Sequence, residues 1–229
     1  MPGYIRSCSS AVKFDNFAVG GNAVGNSASG TVTCTPTFAA LPGTYSLVAI
    51  GTSSTNWING YTLSISSSAG NGGGWTNLGS DIFRGPSGQS TLSLHVFLNT
   101  SPVSGAQTLT GSFSSSGAAW LQGSVYIMSS SYTGCTGYQN ITTEGHLSTS
   151  NSLALNLSQV SAPNHRGVCF CISRAAYYTT FNQTVRGQYN VSSSVAQYLF
   201  VGDAPGATGI SFATTTNSTW CGGYSLDLI

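Results

Sequence analysis

Tyr61-Thr62-Leu63-Ser64-Ile65-Ser66 is the stretch on which the reading of this chain turns. Large apolar residues alternate with hydroxyls, the period of two that a pleated strand imposes on its side chains. One face of such a strand is expected to meet a core and the other to meet water. The pattern recurs at Leu92, Leu94, Val96 and Leu98, at Val125 and Ile127, and at Leu153, Leu155 and Leu157. It returns at Val168, Phe170 and Ile172, and again at Tyr224, Leu226 and Leu228. Clusters such as Gly85-Pro86-Ser87-Gly88 and Asp203-Ala204-Pro205-Gly206 punctuate these runs as turns do. Lys13 and Glu144 are the sole representatives of two strong helix formers, and no long segment carries a three-to-four apolar spacing between caps. The expected fold is all-β, an antiparallel, jelly-roll-like β-sandwich.

Composition narrows the function classes. Of 229 residues only 6 are Lys or Arg and 5 are Asp or Glu, while 64 are Ser or Thr. Polarity therefore comes from hydroxyls, and a net charge of +1 cannot build the basic stripe that nucleic-acid phosphates require. No apolar run reaches the length of a membrane-spanning helix, and Met1 to Ser10 lacks the basic start and apolar run of a secretory signal. Neither nucleic acid nor membrane insertion is expected. Disorder is excluded by 11 Tyr, 10 Phe and 4 Trp spread along the chain, which supply enough apolar surface to offset the ordering entropy.

A weak internal repeat pairs Gly105 to Met128 with Gly206 to Ile229. Each segment begins Gly-Ala, passes an aromatic (Phe113 or Phe212), reaches a Trp (Trp120 or Trp220) and then a Gly three residues on. Upstream, Leu94 to Leu98 corresponds to Tyr198 to Val201, and Tyr45 to Ile50 to Val168 to Ile172. The expectation is one sandwich domain over 28–229 with two pseudo-repeated halves, about 28–130 and 150–229, sharing one core. Residues 1–27, broken by Asn22 and Gly25, read as an N-terminal arm docking on the body or on a neighbour.

The ordered series Leu41-Pro42-Gly43, Tyr45 to Ile50, Gly74-Trp75-Thr76-Asn77-Leu78-Gly79, Ser90 to Leu94, Thr108-Leu109-Thr110 and Trp120 resembles Ser/Thr/Gly-rich β-sandwich domains in structural proteins of phages that infect actinobacteria. The resemblance covers about 28–229. It implies a virion component, a minor tail or capsid-decoration protein with an adhesive role in host attachment and no cofactor. The implied partners are other virion proteins, further copies of the chain and a host-surface glycan. The implied location is the particle surface or tail, after assembly in the host cytoplasm.

Reactive groups are few. Asp15, Asp81, Glu144, Asp203 and Asp227 are scattered, so the carboxylate pair of a glycoside hydrolase would have to converge through the fold. No serine sits in a Gly-x-Ser-x-Gly elbow. His95 lies opposite Leu92, Leu94 and Val96 in alternation and is expected to face solvent, while His146 and His165 fall in loops. Cys8, Cys34, Cys135, Cys169, Cys171 and Cys221 are an even count that three disulfides could use, but they lack the two close pairs of a zinc site; buried thiols are the expected state, with Cys8 in the arm the candidate for exposure. Trp57, Tyr61, Trp75 and Tyr178 are the aromatics placed to stack on sugars, whereas Trp120 and Trp220 are expected in the core. Catalytic residues, cofactors and metals are not expected. A carbohydrate-binding module recognising cell-envelope glycans is the second function class, and a glycan hydrolase is the third.

Overall fold

The computed structural model describes residues 11–27, 29–54, 61–69, 74–84, 91–115, 121–146, 152–156, 162–174, 178–191, 197–206, 211–216 and 220–229, and among these there are strands and no helix. In the first part of the chain run β1 (Lys13–Ser27), β2 (Ser29–Cys34), β3 (Thr37–Phe38), β4 (Tyr45–Ser54), β5 (Tyr61–Ser67), β6 (Thr76–Arg84), β7 (Thr91–Asn99), β8 (Gly105–Ala106), β9 (Leu109–Ser115) and β10 (Leu121–Thr133). The second part supplies β11 (Tyr138–His146), β12 (Ser152–Asn156), β13 (Arg166–Arg174), β14 (Tyr178–Phe181), β15 (Thr184–Val191), β16 (Gln197–Pro205), β17 (Ser211–Thr216) and β18 (Trp220–Leu228).

Two five-stranded sheets, β1-β10-β4-β7-β6 and β11-β18-β13-β16-β15, are accompanied by two three-stranded sheets, β2-β9-β5 and β12-β17-β14. The short pair β3-β8 stands apart. Every pairing is antiparallel. With β3 and β8 set aside, each part of the chain has strands of rank 1 to 8, and both five-stranded sheets then read 1-8-3-6-5 while both three-stranded sheets read 2-7-4. That order is jelly-roll-like, with the fifth strand beside the sixth at the edge of the larger sheet. Segments that match in sequence fall on strands of equal rank: Tyr45 to Ile50 and Val168 to Ile172 on the third, Leu94 to Leu98 and Tyr198 to Val201 on the sixth.

The larger sheets pack on each other. Leu47, Ala49, Leu94, Val96, Tyr126 and Met128 from one sheet form a single buried cluster with Val168, Phe170, Ile172, Leu199, Val201 and Leu226 from the other. Fully burying such side chains stabilises by roughly 1.5–3 kcal/mol each before entropy is counted. A second cluster, with Val32, Val48, Ile50, Phe97, Phe113, Val125 and Ile127 among its members, fills the space between the first larger sheet and β2-β9-β5. The core is thus a shared one between the halves plus a further one inside the first.

Covering the larger sheets on both faces corrects two expectations. The hydroxyl faces of their strands are dry: Ser46, Ser93, Ser129, Ser131, Ser173 and Ser225 are all buried. Paired hydroxyls offset the desolvation, as in Thr52–Ser93 at 2.5 Å and Ser46–Ser129 at 3.4 Å. His95, expected in solvent, is only 7% exposed, because the face opposite the shared core meets the outer sheet instead of water.

Residues 13–27, the second part of the region read as an arm, form β1, which pairs with β10 from Lys13↔Thr133 to Ser27↔Leu121. Its Gly20 explains the broken pattern: a Cβ there would sit 1.7 Å from the Thr33 carbonyl oxygen, so β1 passes β2 where no side chain fits. Residues 138–146, between the two halves expected from sequence, form the edge strand β11.

Candidate functional site

Among the described residues, the backbone places the aromatics named from sequence on separate elements. Trp57 lies outside the described residues. Tyr61 opens β5 opposite Ser115, and Tyr178 opens β14 opposite Thr216. Both strands are rank four and both lie at the edge of a three-stranded sheet, but one belongs to each half. Trp75 precedes β6 and is partly buried against the second core cluster. Its Nε1 is buried with no hydrogen-bond partner among the described residues. Trp120 is outside the described residues, and Trp220 opens β18.

Among the described residues the densest charge lies where the two larger sheets meet, and the sequence reading does not single it out. Asp203 of β16 is fully buried and faces the shared core in the same alternation as Leu199 and Val201. Its Oδ2 accepts from Arg186 Nε at 2.7 Å and from the Tyr132 hydroxyl at 3.3 Å; its Oδ1 accepts from Arg186 Nη2 at 3.0 Å and from Arg166 Nη1. Arg166 Nε donates to the Val12 carbonyl at 3.2 Å. The Arg186 guanidinium sits 4.3 Å over the Phe14 ring, which meets Tyr132 edge-on at 5.8 Å.

Local structure aims these groups. A register shift between Val185 and Gly187 puts a bulge in β15 at Arg186, and bulges redirect side chains. Gly187 lets β15 approach β1, since a Cβ there would lie 2.2 Å from the Phe17 ring. Burial raises the Tyr132 phenol well above its ordinary 10.0, and the Asp203 charge adds to this, so Tyr132 is a neutral donor. Hydrogen bonds to Asp203 raise the Arg186 pKa further. Sequence offered one unused signal: Arg166, Arg186 and Asp203 are three of only 11 acidic and basic residues.

A second buried carboxylate, Asp227 of β18, accepts from Gln139 Nε2 at 3.2 Å and lies 3.3 Å from His165 Nδ1. A His–Asp pair is the base-orienting part of a hydrolase triad. Among the described residues no hydroxyl or thiol is hydrogen-bonded to His165. The hollow of about 410 Å³ beside Ala11, Leu41, Pro42, Thr133 and Gly134 is lined by one ionisable group among the described residues, Lys13.

Five cysteines, Cys34, Cys135, Cys169, Cys171 and Cys221, are buried free thiols; Cys8 is outside the described residues. Burial pushes the Cys34 and Cys135 thiols up to about 12. Cys171 is raised by its hydrogen bond to Cys169 and by burial. Cys34, Cys135 and Cys171 are therefore held as protonated thiols of low reactivity, and no group of three or more His, Cys, Asp or Glu able to hold a metal occurs among the described residues. Comparison with protein-family models, with curated proteins and with solved structures finds no match for this chain.

Proposed function

We infer that this chain is a non-enzymatic structural protein of a phage particle, a minor tail or capsid-decoration component with an adhesive role. The observation that carries the reading is the character of the strands. Hydroxyls far outnumber ions, 64 Ser or Thr against 11 acidic and basic residues, and β2 exposes Ser29, Thr31 and Thr33 while it buries Val32 and Cys34. Such a surface presents hydrogen-bonding groups with few ions to desolvate, which suits contacts to neighbouring subunits and to further copies of itself. The sequence resemblance over 28–229 supplies the particle context.

Carbohydrate binding is the second reading, and Tyr61 and Tyr178 favour it, since they begin strands of the same rank at the edges of the two smaller sheets. Tyrosine is a residue type suited to stacking on sugars. Loss of glycan-array binding in Tyr61→Ala, Trp75→Ala and Tyr178→Ala would place recognition above scaffolding.

Copy number tests the leading reading. Quantifying this chain against the major capsid protein of purified particles is expected to give either the high count of a decoration protein or the low count of a tail component. Its absence from particles would overturn the proposal.

A further inference from the structure

The cluster at the seam between the halves holds two guanidiniums and one carboxylate, so it keeps one positive charge that no described residue neutralises. Arg166 uses Nε and Nη1, and Arg186 uses Nε and Nη2. Arg166 Nη2 and Arg186 Nη1 are left without a partner among the described residues. Their side chains are 16% and 23% exposed, buried enough to weaken screening and open enough for a ligand to arrive. Lys13 precedes Phe14 on the opposite face of β1, and Asp15, at the bulge between Phe14 and Asn16, is occupied by the Ala39 amide and the Ser131 hydroxyl.

We propose that Arg166 and Arg186 form an oxyanion-binding site at this seam, taking a phosphate or carboxylate group on Arg166 Nη2 and Arg186 Nη1. Paired planar guanidiniums match the oxygens of these anions in geometry as well as charge. Asp203 acts here as the holder that fixes both forks, and the anion completes the neutralisation that one carboxylate cannot provide. The inference does not rest on the particle assignment. The oxyanion has two sources: a free ion, or a carboxylate carried by a neighbouring protein chain.

Calorimetric titration of the intact chain with inorganic phosphate, and separately with acetate, at fixed ionic strength tests the site. Saturable binding at one site with a Kd on the order of 1 mM is expected. Arg186→Lys, which keeps the charge and loses the fork, is expected to weaken it at least about threefold, with circular dichroism confirming the fold. Sedimentation with and without phosphate separates the sources. Phosphate that dissociates an oligomer points to a neighbour's carboxylate, and phosphate that binds without altering mass points to a free ion. Absence of saturable binding to the folded wild type, or equal binding by Arg186→Lys and wild type, would overturn the proposal.

Discussion

The two halves share a strand order and differ in what that order encloses. Facing away from the shared core, the first larger sheet presents Val48, Ile50, Phe97, Val125 and Ile127. The same face of the second presents Cys169, Cys171, Ser173, Cys221, Ser225 and Asp227, all buried. The first face sets these apolar side chains beside buried Ser46, Thr52, Ser93, His95 and Ser129; the second, Phe200 apart, has small and polar groups whose hydrogen-bonding capacity is incompletely used. Ser225 Oγ and Asp227 Oδ1 have no partner among the described residues. Topology therefore fixes which residues are covered, while the chemistry of the covered layer is free to differ between otherwise equivalent sheets.

The largest expected effect concerns what joins the halves. Asp203→Ala leaves two buried-side guanidiniums uncompensated, and breaking such a group costs about 3–5 kcal/mol; urea unfolding should show the loss in one transition spanning both halves. The next effect separates them. Ile50→Ala should cost about 2–5 kcal/mol through lost burial and a residual cavity, whereas Cys171→Ala, on the strand of equal rank, should cost only about 1 kcal/mol, the scale of one buried methylene-sized group. Equal losses at the two positions would erase the contrast between the layers.

Alkaline unfolding gives a smaller step per pH unit. The Cys34 and Cys135 thiols are raised from 9.0 to about 12 in the folded chain. A raised folded pKa means that the native state holds its protons where the unfolded state releases them. Stability from these groups is then intact below pH 9 and declines up to about pH 12, by about 1.4 kcal/mol per unit for each thiol. Equilibrium unfolding across that window should fall at least this steeply, since the raised Cys171 thiol and Tyr132 phenol act in the same direction, and Cys34→Ala should flatten it by one thiol's share. The smallest effect is that of salt: with so few exposed ions, added sodium chloride should change stability by less than about 0.5 kcal/mol.

Much of the fold is legible in the alternation. Tyr61 to Ser66 falls within β5, Leu92 to Leu98 within β7, Val168 to Ile172 within β13 and Tyr224 to Leu228 within β18. What escaped has local causes. In β1, Gly20, Gly21 and Asn22 interrupt the pattern, because β1 is held by its ladder to β10 and by a close passage over Thr33. In β11 the bulge between Gln139 and Thr142, with Asn140 at φ 55°, removes the period of two that would have marked a strand. Alternation distinguishes two faces without saying whether the second meets water or another sheet, so it points His95 and the buried serines outward. The seam cluster was invisible for a related reason: Val12, Phe14, Tyr132, Arg166, Arg186 and Asp203 converge only through the packing of the two halves. The aromatic candidates were legible as residue types, while their grouping depends on strand edges in separate halves.

That one core joins two equally ordered halves into a single folding unit is tested most directly by scanning calorimetry of the intact chain. The account predicts one endotherm whose calorimetric and van't Hoff enthalpies agree. Two resolved endotherms, one shifted by Ile50→Ala and the other by Cys171→Ala, would contradict it.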